Sequence, residues 1–278
     1  MNLKYPIYIP SKGRHESRLT IKALNNMGVD YRVVVEPQEF EQYSKHIDNK
    51  NLLTLPFSNL EQGSIPARNW IFEHSKKQGY KRHWIMDDNI EQFNRLNNNF
   101  QVKCNTGAIF RCVEDFVDRY KNIALAGLEY DFFVKSRCKW NPYRMNTRIY
   151  SCTLIDNSIP HRWRGKYNED TDLSIRVLKD GYCTVLFLAF LQQKSQTQKI
   201  KGGNEKIYNE TNQRKEFAES LAKQHPDVAK VVWRFGRWHH QVNYKPFKKN
   251  KLIRVDNYDD IVKDRVNEYG MKLITINK

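Results

Sequence analysis

The chain has 278 residues, of which 40% are hydrophobic and 28% charged, with a formal net charge of +16. That is an ordinary globular composition, long enough for one large α/β domain or two small ones with a real core. The longest apolar run, CTVLFLAFL at 183–191, is too short to span a bilayer, so no membrane partner is expected.

The charge is uneven. Residues 1–100 carry 14 Lys/Arg against 11 Asp/Glu, and residues 101–278 carry 33 against 20. A half this basic points to a polyanionic partner, most often nucleic acid, although basic proteins without one are common. The five cysteines (Cys104, Cys112, Cys138, Cys152, Cys183) are odd in number and form no CxxC pair. They predict a reduced, intracellular chain without a zinc cluster or disulfide framework. The N-terminus MNLKYPIYIP lacks a signal-peptide layout, so a cytoplasmic location is expected.

In chain order, YPIYIP at 5–10 reads as a short strand stopped by Pro10 and followed by the polar turn Ser11, Lys12, Gly13, Arg14. A helix follows, with Leu19, Ile21, Leu24 and Met27 apolar and Gly28 near its end. YRVVV at 31–35 is a second strand closed by Glu36, residues 38–46 a helix, and 52–55 a short third strand. Residues 65–78 carry Ala67, Trp70, Ile71 and His74 at helical spacing, and 83–86 form a fourth strand ending at Asp87, Asp88 and Asn89. This alternation predicts a parallel sheet with helices on its faces, whose ligands bind beyond the carboxyl ends of the strands. Three polar clusters fall at such ends: 11–14, Glu36 and 87–89.

Beyond residue 100 the reading gives a helix at 113–120, a strand at 124–134, a strand at 150–155, a helix at 170–179, a strand at 183–191 and helices at 209–224 and about 258–268. Residues 135–150 resist assignment, and the polar stretch 195–210 reads as a loop. No repeat or clear linker is visible. The expected organisation is one domain over 1–245, in two halves (1–100 and 101–245), then a basic, helical extension over 246–278.

Asp87, Asp88 and Asn89 pose an electrostatic problem, because adjacent oxygen-rich side chains repel unless something positive sits among them. A divalent metal, a basic neighbour or solvent could each answer it. Hard oxygen ligands suit Mg²⁺ or Mn²⁺, which would neutralise a departing diphosphate. Alternatively, Asp88 or Asn89 simply caps a helix starting at Ile90. Lys12 and Arg14 are either phosphate ligands or a solvated basic turn. The acidic run Glu169, Asp170, Asp172 opens a helix, where capping and the helix dipole favour it, yet a carboxylate there could also be a general base. Two stretches interleave cations with aromatics. From 233 to 254 there are seven Lys/Arg, no acid and five aromatics, and 131–166 holds eight Lys/Arg against two acids. Such surfaces hold phosphates and stack on exposed bases.

The order of an ARN-bearing helix, an aromatic-apolar strand and WIMDDNI resembles glycosyltransferases of the GT-A fold. Together with YPIYIPSKGR, IPARNWIFEH, NEDTDLSIR and RFGRWHHQVNY, the chain to about residue 250 resembles the TET-associated glycosyltransferases of bacteriophages. That resemblance implies a GT-A-like (Rossmann-like) α/β fold, with a mixed, mainly parallel sheet and a basic C-terminal elaboration, and makes 1–100 the nucleotide-sugar-binding half and 101–245 the acceptor half. It implies sugar transfer from a UDP-sugar, UDP-glucose first among them, to 5-hydroxymethylcytosine in phage DNA, or to a sugar already on it. Such a modification would shield the DNA from host nucleases, and the chain would work in the host cytoplasm. The resemblance places Pro10, Ser11, Lys12, Arg14, Glu36, Arg68 and Asp87 at the nucleotide sugar. It places Asp88, Asn89 and a late histidine, His240, at a Mn²⁺ or Mg²⁺ ion, although Asn89 stands where the DxD motif has its second Asp. Asp170 becomes the general base, with Glu169 second. Arg162, Arg164, Lys166, Arg237, Trp238, His239, Lys248 and Lys249 are the candidate DNA contacts. A metal-dependent nucleotidyltransferase and a nonenzymatic DNA-binding module remain alternatives.

Overall fold

The computed structural model describes residues 3–165, 167–194 and 211–258. In chain order its elements are β1 (Ile7–Pro10), α1 (Leu19–Asn26), β2 (Arg32–Val35), α2 (Phe40–Ser44), β3 (Leu52–Thr54), α3 (Ile65–Lys77), β4 (Arg82–Met86), β5 (Ile90–Asn97), β6 (Phe100–Lys103), α4 (Ala108–Val117), β7 (Ile123–Tyr130), β8 (Tyr143–Met145), β9 (Cys152–Asp156), α5 (Glu169–Lys179), β10 (Cys183–Lys194), α6 (Thr211–Gln224), β11 (Ala229–Arg234) and β12 (Arg237–Val242). Among the described residues a ten-stranded sheet runs in the order β3-β2-β1-β4-β9-β7-β10-β5-β6, with β8 also on β10. The pairs β3–β2, β2–β1, β1–β4 and β7–β10 are parallel. β9, β5 and β8 run against the rest. This is the mixed sheet of mainly parallel strands, flanked by helices, expected from the sequence. No helix among the described residues is long and apolar enough to cross a membrane.

The two-residue period of the strands sorts the core. Ile7, Ile9, Trp84 and Met86 pack on one face with Ile21 and Leu24 of α1 and with Ile109, Phe110 and Val113 of α4. Tyr8 and Ile85 point the other way, onto Ile71 and Phe72 of α3 and Leu173 and Val177 of α5. Each such buried side chain stabilises the fold by roughly 1.5–3 kcal/mol. The helix ends follow the dipole rule. α5 carries Glu169, Asp170 and Asp172 in its first turn and Arg176 and Lys179 in its last.

Several polar side chains inside this sheet have polar partners. The Arg82 side chain is 1% exposed, with Asp156 at 3.0 Å and Asp118 at 3.9 Å, and it donates to the carbonyl of Ile123 at 2.8 Å. Glu114 of α4 is fully buried. It accepts from the backbone of Lys4 and Tyr5 and from the Trp84 indole, which fastens α4 to the start of β1. His83 meets the Asn157 side chain at 2.6 Å, and burial lowers its pKa to about 4.

Several expectations change. No helix starts at Ile90: residues 90–97 are a strand paired with β10 and β6, so Asp88 and Asn89 cap nothing. α4 begins before residue 113, because Ala108, Ile109 and Phe110 already lie on its buried face. β7 ends at Tyr130 in a short 3-10 turn. β10 continues past Leu191, because Gln192 is fully buried and its side-chain amide donates to the carbonyls of Leu128 and Tyr150. Part of the unassigned 135–150 stretch is β8. The expected loop 195–210 and helix 258–268 lie outside the described residues, apart from Tyr258.

β5 and β6 stand on the far side of β10 from β4, so residues 90–100 share the sheet of the C-terminal half. The described part of the extension returns to the same body. Phe247 packs with Ile175 and Leu178 of α5, Asn250 donates to the carbonyls of Leu178 and Tyr182, and the Lys121 amide donates to Ile253. The basic, aromatic run near 233–242 folds as the β11–β12 hairpin. Its turn residues Phe235 and Gly236 have φ of 52° and 70°, the two left-handed positions that a type I′ turn needs.

Candidate active site

The carboxyl ends of β1, β2 and β4 meet at one rim of the sheet. The Ser11 hydroxyl donates to Asp88 Oδ2 at 2.7 Å and contacts the Tyr43 hydroxyl at 2.6 Å. The Arg14 guanidinium pairs with Asp88 Oδ1. Thr20 locks the turn between them: its hydroxyl donates to the Asp87 carbonyl at 2.5 Å and accepts the Ile90 amide at 2.9 Å. At the tip of β2, Lys12 Nζ meets Glu36 Oε2 at 2.7 Å and Asn59 Oδ1 at 2.9 Å. Burial opposes ionisation of Glu36, but bonds from Lys12, Gln38 and the Asn59 amide hold its carboxyl below the usual range. Pro10, the last residue of β1, borders this corner.

Arg68 of α3 joins the two acidic motifs. One guanidinium nitrogen lies 2.5 Å from Asp170 Oδ1 and 3.4 Å from Glu169 Oε1, and the other lies 3.0 Å from Asp87 Oδ1. The Trp163 indole N–H donates to Asp170 Oδ1 at 3.0 Å. The second Asp87 oxygen faces Lys194 Nζ at 2.5 Å, and that ammonium also donates to the Ser151 hydroxyl at 2.9 Å. Ser151 in turn contacts the Tyr130 hydroxyl at 2.7 Å. The side chains of Asp87, Lys194, Glu169 and Asp170 keep 22%, 18%, 23% and 20% of their surface, whereas Arg68 keeps 7%. The four therefore stay open to solvent around the nearly buried Arg68.

Local backbone conformation serves this arrangement. Ser151 and Asn168 have φ of 60° and 56°, left-handed values that cost non-glycine residues of order 1–3 kcal/mol. One bends the chain into β9 beside Lys194; the other starts α5 directly before Glu169. Gly127 in β7 allows β9 to approach, since a Cβ there would meet Ile149 Cγ2 at 2.3 Å and the Cys152 carbonyl at 2.4 Å.

The carboxyls titrate apart. Burial alone would raise Asp87, but Lys194 and then Arg68 hold it well below the ordinary carboxylate range. Asp88 is raised, because burial outweighs its pairing with Arg14 and Ser11. Glu169 is raised by burial and by the charge of Asp170. Lys194 would be lowered by burial, yet Asp87 raises it, so its ammonium is charged at any physiological pH.

A metal bound by Asp88, Asn89 and His240 does not fit this donor set. Every oxygen of Asp87 and Asp88 already has a close cationic or hydroxyl donor. Asn89 Oδ1 alone is a buried acceptor with no partner in the structure. His240 lies on β12 and lines a cavity of about 600 Å³ with Arg144, Arg148, Tyr244 and Lys248. Burial and Arg148 lower its pKa to about 4. Among the described residues no three His, Cys, Asp or Glu gather as a metal cage. Of the three answers that the 87–89 carboxylates allow, the structure supplies basic neighbours.

The other expected contacts divide. Arg162 pairs with Glu73 at 2.6 Å and lies over the Phe72 ring. Arg164 reaches the buried Asp172 at 3.1 Å, beside Arg176 and His225. Both arginines have structural partners, and Lys166 lies outside the described residues. Arg237, Trp238 and His239 lie on β12; Arg237 is exposed and donates to His239 at 3.1 Å. Lys248 and Lys249 are exposed after the hairpin. The sequence reading missed Lys194, Trp163, Ser151, Tyr130 and Tyr43. The one available signal was QQK after an apolar run, polar side chains on a strand that had not yet ended.

A family described as TET-Associated Glycosyltransferase matches residues 5–203. Among solved structures, one assigned as a nucleotide-diphospho-sugar transferase from Desulfovibrio desulfuricans G20 is 8% identical, covering 67% of this chain and 80% of that chain with a TM-score of 0.36. Mannose-6-phosphate isomerase from Helicobacter pylori is 11% identical over 92% of each chain, with a TM-score of 0.28. Neither superposition is close enough to bear on function. A comparison with curated proteins finds no match.

Proposed function

This chain belongs to the TET-associated glycosyltransferases, and from that premise we propose that it moves a sugar from a UDP-sugar, with UDP-glucose the first candidate, to 5-hydroxymethylcytosine in DNA or to a sugar already carried there. Membership makes it a glycosyltransferase; the donor, acceptor and residue roles are this proposal's content. One observation supports it above the others. A single guanidinium, Arg68, spans the strand-end motif through Asp87 and the helix-start pair through Asp170 and Glu169. In this reading that guanidinium holds the donor-side and acceptor-side carboxylates next to each other.

In this reading Pro10, Ser11, Lys12 and Glu36 border the nucleoside, and Arg14, Arg68 and Asp87 fix the diphosphate end. Asp170 takes the proton of the attacking hydroxyl, which implies inversion at the anomeric carbon. Glu169 is the second candidate, because its raised pKa suits a base. The hairpin bearing Arg237, Trp238 and His239, with Lys248 and Lys249, offers cations and a ring face to DNA. No step here runs through Mn²⁺ or Mg²⁺, because Asp87 and Asp88 already have their cations.

The test incubates hydroxymethylcytosine DNA with UDP-glucose and other UDP-sugars, then digests the DNA and weighs its nucleosides. A gain of one sugar on the modified cytidine is the expected result. If no UDP-sugar is transferred or hydrolysed and UDP does not bind, the nonenzymatic DNA-binding reading prevails.

A further inference from the structure

We propose that Lys194, with Arg68 beneath it, supplies the positive charge that a divalent ion would otherwise bring, and so neutralises the diphosphate as it leaves. The inference rests on the glycosyl-transfer reading and assigns it a further catalytic residue. An ammonium has three N–H donors. Lys194 uses one on Asp87 and one on Ser151. Among the described residues the third has no acceptor, and the side chain keeps 18% of its surface, which leaves room for a ligand.

Three features fix the ammonium there. First, the pairing of β10 with β5 shifts register between Gln193 and Lys194, so that Lys194 stands opposite Ile90 rather than Glu91. Bulges of this kind re-aim a side chain beside active sites, and this one brings Lys194 to the Asp87 turn. Second, Gln192 anchors the strand two residues earlier in the buried interior. Third, Ser151 holds its strained left-handed conformation with its hydroxyl between Tyr130 and Lys194.

The charges of the cluster nearly balance. Asp87, Asp88, Glu169 and Asp170 face Arg14, Arg68 and Lys194, which leaves about one negative charge if all are ionised. Lys194 keeps 18% of its side-chain surface against 15% for Arg14 and 7% for Arg68, so in this proposal it joins them at the diphosphate as the most open of the three cations. In the reaction the bond from the anomeric carbon to the β-phosphate oxygen breaks, and its electron pair stays on that oxygen. The acceptor oxygen bonds to the anomeric carbon and its proton passes to Asp170. UDP departs with one more negative charge, opposite Lys194. Preorganised donors aimed at developing charge act without reorganisation.

The experiment uses the full chain with hydroxymethylcytosine DNA and the UDP-sugar it accepts, in EDTA and in Mn²⁺ or Mg²⁺, comparing wild type with Lys194→Met and Lys194→Arg. Wild type should keep its rate in EDTA to within about twofold. Lys194→Met should lose on the order of 10²–10³ in kcat, bind UDP more weakly by calorimetry in EDTA, and melt near wild type. Lys194→Arg should recover part of the rate. The proposal is overturned if EDTA abolishes transfer and Mn²⁺ or Mg²⁺ restores it, or if Lys194→Met matches wild type in kcat and in UDP affinity. If wild type transfers no sugar under any of these conditions, the glycosyl-transfer reading falls first and this role falls with it.

Discussion

Replacing Asp170 by Asn separates catalysis from packing. The Asp170 Oδ1 atom receives the Arg68 guanidinium at 2.5 Å and the Trp163 indole at 3.0 Å, so the oxygen that takes a proton is Oδ2. The amide of Asn keeps an acceptor at the first position and puts an NH₂ at the second, which cannot accept. The structural loss is small. Arg68 keeps Asp87 and Glu169, and α5 loses one of three acidic residues in its first turn. A charge at a helix start is worth about 0.3–1 kcal/mol, which lowers Tm by no more than about 4 °C in a protein of this size. Losing the base costs about 10²–10⁴ in rate, or about 3–5 kcal/mol of barrier. The assay follows sugar on digested nucleosides over time, with UDP affinity by calorimetry and Tm measured alongside. Activity within about threefold of wild type, with UDP binding unchanged, would refute the assignment and leave Asp170 as a helix-start charge. The acid limb of the rate profile then reports on Glu169. Its carboxyl is raised by burial and by Asp170, so removing the Asp170 charge must move that limb to lower pH if Glu169 is the base.

Asp172 is 1% exposed between Arg164, Arg176 and His225, so Asp172→Asn should destabilise by about 3 kcal/mol or more. Burial opposes its ionisation, but His225 and the two arginines lower its pKa. Its contribution is therefore present above the ordinary carboxylate pKa of about 4 and is lost as pH falls through the lower folded value. Melting curves of wild type and variant should converge below that point, and a gap that persists undiminished under acid conditions would contradict the pairing. Gly127→Ala must push a methyl against the Cys152 carbonyl, which cannot swing aside; a cost of about 1–3 kcal/mol should appear as a Tm lower by roughly 2–12 °C, and an unchanged Tm would show that β7 and β9 can separate freely. Arg237→Ala should weaken DNA binding similarly for all sequences and reduce the slope of log affinity against log salt by about 1; fluorescence anisotropy at several salt concentrations decides, and an unchanged slope removes this arginine from the interface.

The first four strands were legible because each is a short apolar run ending in a turn-forming or polar residue, and because parallel strands joined by helices bring their tips together. Arg68 and Asp170 were legible only through family resemblance; no spacing rule joins residues 102 positions apart in sequence. The strand after Asn89 was missed because Gln92 and Asn94 break its alternation, although Asn94 is buried and bonded to Gln92. Lys194 was missed for a related reason. Hydropathy ends the strand at Leu191, whereas hydrogen bonding carries it three residues further. The basic stretch 131–166 misled in part, since composition does not show that Arg162 and Arg164 already have acidic partners within the fold.

The Arg82 cluster lies at the other end of the sheet from the candidate active site. Arg82, Asp118 and Asp156, with the Tyr5 hydroxyl on Asp118 at 2.7 Å, rivet β1, β4, β9 and the residues after α4 together. A protein clamped at one rim is free to vary at the other. Trimming Arg82 would therefore loosen several strands together, at the end of the sheet opposite the Asp87 and Asp170 carboxyls.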